Sequence, residues 1–327
     1  TKTGTRYVGI LTDGTTWALY HEVDGELLLV TELIVHGAQD HESLVSWLEA
    51  ILATRDGIAP TPTEIEQRLG AESPAHLLDH ESVKALWETG KNHPEVALKR
   101  DLWAKLLRTA FGTAFADDDD LFVDHTLLVL TAETIAHAII GYDVSAAGNV
   151  GPAAIAQGTA FSSAQIYGAV EADFFDWVVQ VPGGEEFVRS LADRISRFTW
   201  EEVEHDVLKI LYESIISAST RATLGEYYTP DWLAERMVAD AVQDPLNQTV
   251  LDPSCGSGTF VFHAIRNYLA AADAAGIANG QALDGLTTRV LGMDVHPVAV
   301  TLARVTYLLA IGRERISATD RGPLAVP

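Results

Sequence analysis

The chain has 327 residues, of which 47% are hydrophobic and one is cysteine. This hydrophobic content indicates a globular protein, and the single cysteine excludes a disulfide framework and a cysteine-rich zinc site. No apolar run reaches the roughly 18 residues of a membrane-spanning helix, and the first residues (TKTGTRYVGI) lack a signal-peptide pattern. We therefore expect a cytoplasmic protein that makes no contact with a membrane.

The net charge of −24 argues against extensive contact with nucleic-acid phosphates, which lysine and arginine normally provide. The first 200 residues hold 30 acids against 13 bases, whereas the rest of the chain holds 16 acids and 9 bases. The amino-terminal part is thus predicted to bind DNA poorly by itself, although bulk acidity can also serve solubility alone.

Residues 1–38 are predicted to form a β meander. Three apolar runs are candidate strands, at 6–11 (RYVGIL), 15–20 (TTWALY) and 26–35 (ELLLVTELIV). The dipeptides Asp13-Gly14 and Asp24-Gly25 are typical of the turns between such strands.

Residues 39–200 have helical periodicity and are predicted to form a helical domain. Capping patterns place helix starts at Thr61 or Thr63 and at Ser73-Pro74. The first helix is expected to bury one apolar stripe: Leu44, Val45, Leu48, Ile51 and Leu52. A helix that begins at Pro94 is expected to bury another: Val96, Leu98, Leu102, Trp103, Leu106 and Phe111.

The acid run 117–120 precedes a predicted helix at 121–140. Acids there stabilise the positive end of the helix dipole, and we prefer this interpretation to a metal site. His125 and His137 are too far apart in sequence to ligate jointly and are predicted to be packing or surface residues. Further on, we expect a long loop at 145–157, an apolar core helix near 174–179 and a helix at 185–198.

The stretch 250–265 (VLDPSCGSGTFVFHAI) predicts a buried strand, a glycine turn and a helix that begins at Thr259. A nucleotide-hydrolase phosphate loop would need Gly-Lys-Ser/Thr, and no lysine is near. A dinucleotide fingerprint would need a third glycine at the position of Val261. An S-adenosylmethionine pocket needs an acid at the strand end to face the ammonium group, and Asp252 provides one.

Two flanking blocks strengthen the interpretation of a methyl-donor site. Residues 289–295 (RVLGMDV) predict a second strand that ends at Asp294, followed by a helix at 297–311. Acids at neighbouring strand ends suit a nucleoside, since the second can accept hydrogen bonds from ribose hydroxyls. Upstream, residues 225–230 (GEYYTP) precede a helix predicted at 231–243.

The blocks GEYYTP, DPSCGSGTF and GMDVHP, in this order, resemble the N6-adenine DNA methyltransferases of bacterial restriction-modification and phage-defence systems. The resemblance covers about 206–327. It implies that Tyr228, Thr229 and Pro230 close over the methionine end of S-adenosylmethionine and that Asp294 holds its ribose. The remaining cofactor-binding residues that it implies are Asp252, Pro253, Ser254, Cys255, Gly256, Gly258, Thr259, Phe260, Val295 and His296.

Cys255 and His296 are residue types that can act in catalysis. Cys255 invites comparison with a cytosine-methylating nucleophile, but inside the glycine turn it would face the donor and not a base. His296 is predicted to lie at the rim of the donor pocket and not to act as a general base. We predict no metal ligands.

The family resemblance also implies an Asn/Asp-Pro-Pro-aromatic motif that holds the flipped adenine. None of the twelve prolines is adjacent to another, so the 327 residues do not contain this motif. We therefore predict no catalytic residue and no methylation of DNA by this chain alone. The chemistry and the contacts with double-stranded DNA would come from a missing carboxyl-terminal region or from another subunit.

The predicted fold class is α/β: a partial Rossmann-like methyltransferase core at 201–327, after the helical domain and the meander. The meander is similar to the closing strands of nuclease-like domains in fused restriction enzymes, but the chain has no Glu-x-Lys for a nuclease metal site. The leading hypothesis is the donor-binding portion of a site-specific adenine methyltransferase. The alternative is a non-catalytic, methyltransferase-like scaffold subunit of a defence complex.

Overall fold

The computed structural model describes residues 8–23, 25–112, 115, 118–145, 147–203, 206–224 and 227–327. It begins with an antiparallel sheet of three strands, ordered β1 (Val8–Thr12), β2 (Thr16–Val23) and β3 (Glu26–Ile34). These strands confirm the three predicted strands, with bounds that differ from the predicted ones by no more than three residues. The turn at Asp13-Gly14 is also confirmed. Arg6, Tyr7 and Asp24, which were part of that prediction, lie outside the described residues.

Eight helices follow in the described part of the chain. They are α1 (His41–Leu52), α2 (Pro62–Leu69), α3 (Pro74–Gly90), α4 (Pro94–Phe111), α5 (Asp119–Ile139), α6 (Pro152–Gln157), α7 (Thr159–Ser163) and α8 (Gly184–Ile195). Two predicted caps are confirmed, because Thr61 accepts a hydrogen bond from the Glu64 N–H and Ser73 accepts one from the His76 N–H.

The predicted apolar faces of α1 and α4 are partly wrong. In α1 the buried residues are Trp47 and Ala50, while Val45 and Leu52 are more than half exposed. In α4 the buried residues are Val96, Trp103, Ala104 and Leu107, and the residues that stay exposed are Leu98, Leu102 and Leu106. Each helix has more apolar residues than its buried face holds. The positions of the apolar residues therefore did not show which face packs against the core.

Helix α5 is the centre of the core and is buried on nearly all sides. It packs against α3, α8 and the carboxyl-terminal helix α14 (Pro297–Ile311). Its buried threonines satisfy their hydroxyls within the helix: Thr126 donates to the Phe122 carbonyl at 2.7 Å, for example. His125 and His137 are both fully buried, so of the two predicted roles the structure shows packing.

The predicted acid run lies at the start of α5, which begins at Asp119 and not at the predicted residue 121. The Asp118 carboxylate accepts a hydrogen bond from the Asp120 N–H at 3.0 Å, and Asp119 pairs with Arg100 at 2.8 Å. Asp117 lies outside the described residues. Across the described ranges, no group of three or more metal-ligating side chains is close enough to hold an ion.

The expected loop at 145–157 is wrong in its second half, which forms α6. Pro152 begins this helix after Gly151, as proline does at a first helical position. The apolar segment that follows forms a short strand, β4 (Ile166–Tyr167), and a 3-10 helix (Phe175–Gln180) whose Phe175 and Trp177 are fully buried.

The carboxyl-terminal part alternates helices and short strands. In order they are α9 (Val207–Ile215), α10 (Ala218–Leu224), α11 (Asp231–Ala241), β5 (Val250–Asp252), α12 (Thr259–Ala274), α13 (Asn279–Arg289), β6 (Val290–Gly292), α14, α15 (Arg313–Ile316) and β7 (Leu324–Ala325). Strands β5 and β6 form a parallel pair in which Val250 faces Val290, and β4 pairs in parallel with β7.

Two strand predictions need correction here. The strand at 250–251 is not fully buried, because Leu251 is 52% exposed in a sheet of two strands. The second strand is shorter than predicted, since Arg289 ends α13 and Met293 to Val295 follow the strand. No pattern in the sequence predicted the β4–β7 pair.

One hydrophobic core extends from Ile58 to Val326, across the predicted boundary between 39–200 and 201–327. The structure is therefore a mixed α/β arrangement with small sheets, in which the helical part and the carboxyl-terminal part share their interior. Within the part of the chain that the structure describes, no helix combines the length and the apolar character that crossing a membrane requires.

Candidate ligand site at the end of the parallel strands

The glycine turn after β5 folds back onto the end of β6. The Met293 N–H donates to the Asp252 carbonyl at 2.8 Å, and the Cys255 N–H donates to the Met293 carbonyl at 2.9 Å. Gly256 and Gly258 both have positive φ, 54° and 99°, which glycine adopts without strain. The carboxyl ends of both strands therefore meet at one place, as predicted for parallel neighbours.

Asp294 ties this turn to the start of α14. One carboxylate oxygen accepts a hydrogen bond from the Gly256 N–H at 2.9 Å. The other accepts one from the His296 N–H, also at 2.9 Å. Since each carboxylate oxygen has a second lone pair, Asp294 can still accept hydrogen bonds from a ligand.

The carboxylate of Asp252 has fewer hydrogen-bond partners than that of Asp294. Its Oδ1 accepts a hydrogen bond from the Ser254 N–H at 3.1 Å, whereas its Oδ2 is buried and has no hydrogen-bond partner among the described residues. Burial raises the pKa of this carboxyl, and the nearby Asp294 raises it further. An unpaired buried carboxylate oxygen is costly, and a cationic or hydrogen-bond-donating ligand would remove that cost.

A cavity of about 270 Å³ opens beside the turn. The residues that line it are Phe111, Tyr227, Tyr228, Thr229, Pro253, Ser254, Cys255, Gly256, Thr259, Phe260, Asp294, Val295, His296 and Ala299. The structure thus brings together most of the predicted site residues. Pro230, Asp252 and Gly258 do not line the cavity: Pro230 caps α11, and Gly258 lies at the base of α12. Gly225 and Glu226 lie outside the described residues.

Cys255 lines the cavity but is a poor nucleophile. Burial raises the pKa of its thiol to about 12, with Asp294 and Asp252 adding to the effect. A thiol with this pKa stays protonated at neutral pH, and only the thiolate is reactive. This agrees with the prediction that Cys255 does not attack a base.

His296 is a buried wall of the cavity and caps α14. Its Nδ1 accepts a hydrogen bond from the Ala299 N–H at 3.3 Å, and burial lowers its pKa to about 4, so the ring is neutral at pH 7. Its ring centroid lies 5.5 Å from that of Phe111 and 5.3 Å from that of His125. Helices α4 and α5 therefore reach this edge of the cavity.

Asp206 supports the turn from below, a role the sequence did not indicate. This buried carboxylate accepts hydrogen bonds from Ser257 Oγ at 3.1 Å and Thr259 Oγ1 at 2.8 Å, and it caps α9 through the Lys209 N–H. The Lys209 ammonium in turn donates to the Thr229 carbonyl. Asp206 thus connects α9 to the glycine turn, and Lys209 connects α9 to the 227–230 segment. Its neighbour His205 lies outside the described residues.

Comparison with known proteins bears on this same region. Residues 203–315 match the family described as N-6 DNA Methylase. A stretch of 124 residues is 28% identical to the methylase subunit of the type I restriction enzyme MjaVIII from Methanocaldococcus jannaschii. Residues 203–315 are thus similar in sequence to the N-6 DNA methylase family. These residues, called the methylase segment below, contain all three sequence blocks that predicted the family.

The methylase segment is only part of what the relative contains. The alignment covers 37% of this chain and 19% of the MjaVIII subunit, so the chain matches about a fifth of that protein. No solved structure matches the chain.

Three of the described cavity residues were absent from the sequence-based site: Phe111, Tyr227 and Ala299. Tyr227 and Ala299 neighbour predicted residues. No motif indicates Phe111, because it precedes the methylase segment by more than 90 residues.

Proposed function

We propose that this chain is the S-adenosylmethionine-binding portion of an adenine-specific N6 DNA methyltransferase from a restriction-modification or phage-defence system. The observation that carries the proposal is the unpaired, buried Asp252 Oδ2 at the end of β5, next to a cavity bordered by a glycine turn. The match of residues 203–315 to the N-6 DNA methylase family supports it.

The residues around the cavity suit the two ends of the cofactor. Asp252 offers an acceptor for the ammonium group of the methionine part. Asp294, already oriented by the N–H groups of Gly256 and His296, has lone pairs left for ribose hydroxyls. Phe260 and Val295 provide apolar surface for the base. On this basis we assign the parallel β5–β6 pair to a partial Rossmann-like core.

The bound cofactor would supply a methyl group on a sulfonium, which is a good leaving group. The task of this chain is then to hold and orient the donor, because positioning lowers the barrier to an in-line transfer. The flipped adenine that accepts the methyl group at N6 must be held in a pocket, and the 327 residues contain no Pro-Pro pair to form one in the manner of this family. That pocket, and the contacts with duplex DNA, would come from residues outside this sequence.

A scaffold role is the second candidate. The chain carries a net charge of −24 and lacks the adenine-holding motif, and both features suit a subunit that keeps the fold and assembles with others. Other subunits of a cytoplasmic defence complex are the proposed partners in either case. The two candidates differ in one respect, since only the first requires the chain to bind S-adenosylmethionine.

Calorimetric titration of S-adenosylmethionine into the parent chain and the Asp252→Asn variant tests the proposal. Asparagine keeps the Oδ1 acceptor for the Ser254 N–H but removes the charge. We expect binding by the parent and about a 10- to 100-fold higher Kd in the variant, because hydrogen bonds to charged groups contribute about 1.5–3 kcal/mol.

The matched control is Asp284→Asn, at an exposed acid on α13, which should leave Kd within twofold. Circular dichroism and thermal unfolding establish that each variant is folded. A folded parent that does not bind S-adenosylmethionine would reject the proposal and favour the scaffold. Equal affinities for the parent and Asp252→Asn would remove Asp252 from the site.

A further inference from the structure

The helical part of the chain supplies one wall of the candidate donor site. Phe111 is the last residue of α4, is half-buried and lines the cavity together with residues of the methylase segment. Among the described residues, no other lining residue comes from before residue 227. An aromatic ring from a distant part of the sequence is therefore placed against a cavity otherwise built by residues 227–299.

Phe111 lies at the end of the cavity marked by Asp294 and His296. Its ring centroid is 5.5 Å from that of His296, which follows the proposed ribose-binding Asp294 by two residues. Because Asp294 is the proposed ribose ligand, we assign Phe111 to the nucleoside end of the proposed site.

Buried contacts hold α4 and α5 against this edge. The His125 ring on α5 packs edge-on against His296, with centroids 5.3 Å apart. His125 Nδ1 accepts a hydrogen bond from the Trp103 indole N–H at 3.2 Å, and Trp103 is a fully buried residue of α4, two turns before Phe111. Helices α5 and α14 also pack along each other. The position of Phe111 is consequently fixed by the core that the two parts of the chain share.

Resting on the proposed function, we infer that Phe111 is the residue that stacks against the adenine of S-adenosylmethionine, so that the donor site is completed by α4. The ring presents a half-buried apolar face to a cavity, as base-stacking aromatics do. A purely structural role would bury the ring in the core, where ligands would not sense its replacement. The two roles therefore differ in how ligand affinity, and not only stability, responds to substitution.

Two ligands separate the ends of the site: S-adenosylmethionine, and 5′-methylthioadenosine, which keeps the nucleoside and lacks the amino acid. Both are titrated into the full chain. We expect Phe111→Ala to raise the Kd of both ligands by about 5- to 100-fold, the range of base–aromatic stacking. Asp252→Asn should raise only the Kd of S-adenosylmethionine, since 5′-methylthioadenosine has no ammonium group for it to hold.

Leu106→Ala is the control on the same helix, because Leu106 is 39% exposed and does not line the cavity. It should leave both affinities within twofold. If Phe111→Ala fails to fold, Phe111→Leu keeps an apolar side chain and removes the ring face, and we expect it to weaken both ligands about threefold or more.

The inference would be overturned if a folded Phe111→Ala variant bound both ligands with unchanged affinity. If the alanine variant does not fold, the same result in Phe111→Leu would overturn it. Either result would leave the proposed function intact. Loss of S-adenosylmethionine binding with unchanged 5′-methylthioadenosine binding would also overturn it, since Phe111 would then act at the methionine end. A folded parent that does not bind S-adenosylmethionine would reject the proposed function itself, and this inference with it.

Discussion

The buried Asp206 and the half-buried Asp252 of the methylase segment differ in what surrounds them. Asp206 accepts hydrogen bonds from the Ser257 and Thr259 hydroxyls and from the Lys209 N–H, so its oxygens are satisfied by the protein. Asp252 receives one backbone N–H on Oδ1, and its Oδ2 has no partner in the described part of the chain. Satisfied buried acids hold structure together, and an unsatisfied one beside a cavity is available to a ligand.

A carboxyl oxygen without a hydrogen-bond partner does not by itself indicate a ligand site, as Glu133 on α5 shows. Its Oε2 also has no partner among the described residues, but burial raises its pKa well above the usual range, and Asp173 and Asp176 add to the rise. Burial therefore favours the protonated form of Glu133, which lies within the core and away from the cavity. Lys99 is the cation of this cluster and donates to the Asp173 carbonyl and the Asp176 carboxylate.

Asp173 in this cluster predicts a pH dependence of stability. Burial raises its pKa from 3.8 to about 7, and Asp176 contributes by repulsion. The folded state thus keeps a proton that the unfolded state has already lost, so stability from this group is full below about pH 4 and falls as the pH rises to about 7. In Asp173→Asn this dependence is absent, while the amide oxygen can still accept the hydrogen bond from the Phe175 N–H.

Urea denaturation of the parent and Asp173→Asn between pH 5 and pH 8 measures the effect. We expect the free energy of unfolding of the variant, relative to the parent, to increase by about 1–3 kcal/mol over this range. Glu171→Gln replaces an exposed acid two residues away and should produce no such trend. Parallel curves for the parent and Asp173→Asn would show that Asp173 ionises normally in the folded chain.

At the scale of elements, the glycine turn sets how closely α12 approaches α14. Gly258 precedes α12 with φ at 99°, and a Cβ at this position would lie 3.3 Å from Ala303 Cα and from Thr306 Cγ2 on α14. Gly258→Ala thus combines backbone strain with a steric conflict. We expect it to lower the free energy of unfolding by about 1–3 kcal/mol and to weaken S-adenosylmethionine binding through displacement of the turn.

Gly276→Ala separates the two causes, because Gly276 also has positive φ, 67°, but has open space around its Cβ position. It should cost about 1 kcal/mol and leave ligand affinity unchanged. Guanidinium denaturation and calorimetry of both variants provide the comparison. Equal losses of stability would mean that the contact with α14 contributes nothing beyond the backbone strain.

Short sequence patterns predicted many helix starts and turns, because neighbouring residues determine these features. Thr61 and Ser73 cap helices through their own hydroxyls, and Pro297 begins α14 as expected. The glycine turn and both acidic strand ends were likewise placed from adjacent residues. These features depend on backbone conformation and hydrogen bonds within a few residues, which a sequence pattern records directly.

The features that sequence analysis missed are set by packing between distant segments. The inward face of α4 depends on α5 and the 3-10 helix, so the stripe Leu98, Leu102 and Leu106 could not be distinguished from the buried one. Strands β4 and β7 are only two residues long and pair across more than 150 positions. Phe111 enters the candidate site only because α4 and α5 pack against the start of α14.

At the scale of the whole molecule, charge and motif content lead to the same expectation. A chain with 46 acids and 22 bases has a net negative charge that opposes contact with the phosphate backbone, so its affinity for duplex DNA should be low. The 327 residues also contain no Pro-Pro pair for an adenine pocket. We therefore expect the chain to bind S-adenosylmethionine and yet to transfer no methyl group to DNA by itself.

The test is incubation of the purified chain with duplex DNA and S-adenosylmethionine that carries a labelled methyl group, at about 0.15 M salt, where repulsion between the acidic chain and the phosphates is largely screened. We expect no label in DNA above that of a sample without protein, in the same preparation that binds the donor calorimetrically. Label found at adenine N6, and lost in Asp252→Asn, would contradict this prediction. An adenine pocket would then have to exist within these residues, built from side chains other than the family motif.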